Sequence, residues 1–131
     1  MSTSPVFTNP DTVHPPLGLY SHCVAVPRDA ELLYVSGQLG VRPDGSVGST
    51  VAEQADQAFE NLVAVLRGGG MGPENIVKLT TYIVAGHDGD GVRAARLKHL
   101  GDLRPASTAV WVAGLVRPEW FVEVDAVAAK V

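Results

Sequence analysis

The sequence predicts an α+β domain in which one mixed β-sheet carries two helices packed on a single face. Three observations predict it. Apolar residues recur at helical spacing through residues 51–66. Runs rich in β-branched and aromatic residues lie before and after that segment. The order along the chain is β-β-(β)-α-β-α-β-β, so strand, helix and strand follow one another as in a crossover unit. No third helix remains to cover the second sheet face.

Residues 1–16 read as an irregular N-terminal arm, because Pro5, Pro10, Pro15 and Pro16 discourage a helix. Residues 17–131 then form the single domain. Within it, residues 19–27 (LYSHCVAVP) and 32–36 (LLYVS) read as strands, with Gly37 ending the second. RPDGSVG is a loop with Pro-Asp-Gly turn chemistry. Thr50 and Glu53 fit a capping box for the first helix. Val51, Ala55, Phe59, Leu62 and Leu66 form its apolar stripe, and the glycines at 68–70 stop it. Residues 76–85 read as the crossover strand, and residues 91–101 as a short second helix. Pro105 blocks further helix, and residues 107–112 and 120–129 are the last two strands. The sheet face without helices then calls for a cover, and other subunits are the natural one.

The chain has 131 residues, 46% of them apolar, enough for one core. Its net charge of −4, without any run of Lys or Arg, argues against a nucleic-acid partner. No stretch approaches the roughly 20 apolar residues of a membrane span. The N-terminus has neither the basic nor the apolar region of a signal peptide. A cytoplasmic protein is expected. Cys23 is the single cysteine, so no internal disulfide forms, and it is expected to be buried. The four histidines show no metal-ligand spacing, and no metal is expected.

Five segments, in order, resemble the RidA (YjgF/L-PSP) family. GLYSH at 18–22 resembles its Gly-Pro-Tyr-Ser stretch, and YVSGQLGVRPDG at 34–45 its Val-Ser-Gly-Gln hairpin. Residues 54–83 resemble its long helix, Gly-rich end and crossover strand. RPASTAVWVAGL and FVEVDAVAA resemble its Arg-Pro-Ala-Arg segment and closing acidic strand. The resemblance spans roughly residues 17–129. It implies a chorismate-mutase-like fold assembled as a homotrimer, with small-molecule clefts between subunits and no cofactor. It also implies a deaminase-like hydrolysis of enamines or imines.

Carried over residue by residue, the resemblance makes Glu123 the acid that holds the attacking water, and Tyr20, Ser36 and Gly37 parts of the cleft. A carboxylate partly withdrawn from water suits a proton acceptor. Position for position, each has a plainer reading: a solvated strand carboxylate, a strand tyrosine, a strand-ending turn. Ala109 stands where the family has a cysteine, and its carbonyl can still hold a water. The largest departure is Ser107, which stands where the family places a carboxylate-clamping arginine. A hydroxyl replaces neither the charge nor the bidentate fork. The substrate is therefore expected to differ from an ordinary amino-acid-derived imine. Arg93 stands where the family has a site asparagine, and is either a cation from another direction or a surface helix residue. Three readings follow: a cofactor-free imine or enamine hydrolase, a ligand-binding or stress-response trimer with little turnover, and an endoribonuclease or translation inhibitor.

Overall fold

The structure, a computed structural model, describes residues 4–131. Its elements are β1 (Val6–Thr8), β2 (Cys23–Ala25), β3 (Glu31–Leu39), α1 (Val51–Gly68), β4 (Ile76–Val84), α2 (Asp90–Leu100), β5 (Ala106–Val112) and β6 (Val122–Lys130). The main sheet has the order β3-β6-β4-β5. β6 runs antiparallel to both β3 and β4, while β4 and β5, joined through α2, run parallel. The expected α+β architecture is thus present, with both helices on one sheet face.

α1 forms where the apolar stripe places it. The Thr50 hydroxyl accepts from the Glu53 amide at 3.1 Å and caps the first turn. The Glu53 carboxylate does not complete the expected reciprocal box; it lies 3.8 Å from the Arg42 guanidinium. Gly70, at φ +81°, turns the chain out of the helix. Phe59, Leu62 and Leu66 of α1 are fully buried against Leu79 of β4 and Val122 and Val124 of β6. Each such side chain contributes roughly 1.5–3 kcal/mol of burial free energy. The one polar group of comparable burial is Gln54. Its amide donates to the carbonyls of Gly48 and Glu119, and its oxygen accepts from the Phe121 amide. It thereby fixes the entry to β6. Between the helices, Asp56 accepts from Lys98 at 2.9 Å and from His99 at 2.8 Å.

Four further sequence expectations are corrected. The N-terminal arm is not irregular throughout: Val6–Thr8 pairs antiparallel with Cys23–Ala25 as a separate two-stranded sheet. The strand expected at 19–27 shrinks to Cys23–Ala25, and Cys23 is exposed rather than buried. Gly37 does not end its strand, which continues to Leu39.

Candidate active site

α2 forms one wall of a cleft. Val92, Ala95 and Leu100 are buried, and Arg96 lies one turn from both Val92 and Leu100, on the same stripe. Its side chain therefore runs toward the sheet. Nη1 donates to the Ser107 hydroxyl oxygen at 3.3 Å, and Nη2 donates to the Leu19 carbonyl. Nε is buried and has no partner. Burial lowers the guanidinium's pKa from the ordinary arginine value. None of the ion pairs among the described residues includes Arg96. A cleft of about 260 Å³ opens here, lined by Arg96, Val92, Thr81, Ala109 and Trp111. That volume lies just under the roughly 300 Å³ at which ligand pockets start, so within one chain it holds only a very small molecule.

A strap closes one side. The Ser21 amide donates to the Pro105 carbonyl at 3.1 Å, and its hydroxyl donates to the Arg104 carbonyl at 2.7 Å. Leu19 and Tyr20 are thereby held beside the start of β5. The Tyr20 hydroxyl accepts from the Leu17 amide at 3.0 Å, and its ring meets His22 edge-on.

The other sheet face carries carboxylates. Val122, Val124 and Ala126 of β6 are buried toward the helices, so Glu123 and Asp125 project from the opposite face. Register sets Glu123 beside Tyr82 and Asp125 beside Thr80. The negative charge of Asp125, with burial, a hydrogen bond to Asp125 and the charge of Glu123, holds the Tyr82 hydroxyl above the usual phenol range. Tyr82 is therefore a protonated donor at neutral pH. On β3 the pairing steps from Val35–Ala126 to Gln38–Val124, leaving Ser36 and Gly37 opposite Asp125 alone. This is a β-bulge. A Cβ at Gly37 would fall 2.7 Å from the Glu123 carboxyl carbon, so glycine lets the carboxylate keep its present position, and any other residue would make it move aside. Gly37, Tyr82, Glu123 and Asp125 line one shallow depression.

A family model described as Endoribonuclease L-PSP matches residues 12–130. The chain belongs to the RidA/YjgF/L-PSP family. Among its RidA-family relatives, the human 2-iminobutanoate/2-iminopropanoate deaminase is 33% identical over 114 residues, covering 86% of this chain and 80% of the relative. A RutC family protein of Pyrococcus horikoshii is 26% identical over 117 residues, covering 88% and 90%. A solved Rid-family protein of Yersinia pestis superposes with a TM-score of 0.84 at 26% identity, covering 97% of this chain and 99% of that one. The YjgF gene product of E. coli gives 0.69 at 29% identity, covering 88% and 91%.

The RidA-like site residues fall into two groups within one chain. Ser107 and Ala109 lie on the helix side at Arg96, with the Tyr20 strap beside them. Ser36, Gly37 and Glu123 gather on the opposite face. Arg93 touches the rim of the cleft, but its guanidinium pairs with Asp90 at 3.0 Å and its side chain is 78% exposed. Arg96 and Tyr82 were not singled out from the sequence. Their signals were present: Arg96 interrupts the apolar stripe of α2, and Tyr82 sits in the crossover strand. Trp111 also lines the cleft.

Proposed function

We propose that this chain is a cofactor-free hydrolase of small imines or enamines, working as a homotrimer. The observation that carries this reading is the division of the site. One face of β5 and α2 offers a cleft with a cation and no proton acceptor. The opposite face offers a carboxylate with no enclosed cleft. Two copies that set one half against the other complete the machinery, and the uncovered sheet face leaves room for that contact. The homology to imine deaminases at about one-third identity supports the reaction class.

In the completed site the substrate's C=N group lies between the halves. Glu123 accepts a proton from a water as the water oxygen bonds to the imine carbon. That proton passes to nitrogen and gives a carbinolamine. The hydroxyl proton then moves to the nitrogen as the C–N bond breaks and the C=O bond forms, and ammonia leaves a carbonyl product. Proximity does much of the work, because water is held against an electrophile that already hydrolyses slowly on its own. In this reading the Ala109 carbonyl holds the water from the cleft side. The endoribonuclease reading gains no support from charge: the net charge is −4, and the cleft offers isolated guanidinium groups rather than a track for a phosphate backbone.

The test generates 2-iminopropanoate in place with a dehydratase and follows keto-acid release for wild type and Glu123→Ala. Activity that falls by about 10²–10⁴ in the variant supports the proposal. Equal activity in both removes Glu123 from the mechanism. Ligand binding without turnover of any imine would leave the binding-trimer reading instead.

A further inference from the structure

We propose that Arg96 is the anion-holding residue of the cleft and that Ser107 positions it, so that the substrate carries a carboxylate. The inference rests on the cleft assigned above and names its substrate class. The guanidinium departs from α2 yet ends at the hydroxyl of Ser107, on β5. A cation is therefore present at this position of the sheet although residue 107 does not supply it. The expectation that Ser107 removes amino-acid-derived imines from the substrate range is replaced by one in which the clamp has moved to the helix.

Four observations carry the argument. Arg96 is partly buried, where an unbalanced charge is costly unless something neutralises it. No carboxylate among the described residues pairs with it. Its Nη atoms each make one protein contact, which leaves a further N–H on each, and Nε–H has no partner. It lines the cleft together with Ala109, whose small side chain leaves space above the strand. Arg93 on the same helix is distinguished by its exposure and by its own carboxylate, Asp90.

Ser107 and Arg96 also explain one another. An arginine at 107 would set a second guanidinium against the first, and like charges at contact repel strongly in a partly buried site. A serine accepts a hydrogen bond from Arg96 and fixes its rotamer. The cation comes from one position or the other, not from both.

The experiment uses the full-length protein and two isosteric probes, propionate and propionamide, titrated by NMR chemical shift. Turnover of 2-iminopropanoate is measured in parallel. Arg96→Ala is expected to weaken propionate binding by about 10- to 100-fold, as loss of a charge-assisted pair does, while leaving propionamide unchanged. Turnover in Arg96→Ala should fall mainly through a higher KM. Ser107→Arg alone should also lose propionate binding, and Arg96→Ser with Ser107→Arg should regain it. Ser107→Ala should raise KM with kcat kept, and Ser107→Thr should restore it. The double variant keeps the test meaningful if Arg96→Ala folds poorly, because it returns the charge from the strand. Unchanged propionate binding in a folded Arg96→Ala protein overturns the inference. So does a double variant that stays as weak as Arg96→Ala. Arg96-dependent propionate binding without imine turnover leaves this inference standing and removes the hydrolase reading. Turnover that survives Arg96→Ala unchanged does the reverse.

Discussion

Two variants that are each nearly inactive at low substrate should make an active mixture. Arg96, reaching in from α2, and Glu123 on β6 lie on opposite sides of one sheet, so a shared site takes one residue from each of two chains. Arg96→Ala removes the cation from a site and Glu123→Ala removes the acid. Mixed in equal amounts and allowed to exchange subunits, the variants assemble at random. A site is then intact only where a chain that keeps Arg96 meets a neighbour that keeps Glu123, which is about one site in four. At substrate well below KM, activity should rise from about a tenth of wild type or less in either parent to about a quarter. A second mixture fixes the arrangement: wild type with the double variant should retain about one quarter of its sites if the pair is split between chains, and about one half if both act within one chain. The assay is keto-acid release from 2-iminopropanoate, with subunit exchange verified by native mass spectrometry. Exchanged mixtures that remain as inactive as their parents would refute a site shared between neighbouring chains.

Phe59→Ala should lower unfolding free energy by about 3–5 kcal/mol in urea denaturation, since the ring is fully buried and its neighbours cannot collapse onto the space. Gln54→Leu keeps the volume but strands the Gly48 and Glu119 carbonyls and the Phe121 amide; a loss of at least about 1–3 kcal/mol is expected in the same measurement. Asp56 has its pKa lowered below 3.8, first by the hydrogen bond from Lys98 and then by that from His99. A depressed carboxylate stabilises the fold above its unfolded pKa, and that contribution disappears as pH falls through the folded value. Asp56→Asn should therefore cost under about 1 kcal/mol at pH 7, because the pair is partly solvated, and should flatten melting temperature against pH below pH 4.

The regular elements were legible because their signals are local. The stripe Val51, Ala55, Phe59, Leu62, Leu66 specifies α1 wherever the segment sits, and β-branched residues specify β4 in the same way. The strand at Val6–Thr8 was not legible. It is short, it stands between prolines, and its partner lies beyond a long loop, so only tertiary contact decides it. The bulge at Ser36 and Gly37 escaped for a related reason: register depends on the facing strand, and the sequence of β3 alone cannot show where two residues oppose one. Glu123, Ser107 and Ala109 were found by likeness to a family rather than from their own surroundings. Arg96 was not picked out, although Val92 and Leu100 on either side place it on the buried stripe. A charged residue interrupting an apolar helix face, in a chain that has a small residue where a cation is expected, was the available clue.

The close approach at the bulge ties two distant positions into one unit of change. The Glu123 carboxyl fills the volume that any side chain at position 37 would claim. As sequences drift, a side chain gained at position 37 therefore changes where the acid sits as well as what stands at 37. The end of the Glu123 side chain is flexible, so glutamate stays compatible with alanine at 37 by turning to another rotamer. A library that varies Glu123 against a fixed alanine at 37 then samples a displaced carboxylate. The same library on the Gly37 background samples the acid in its present place.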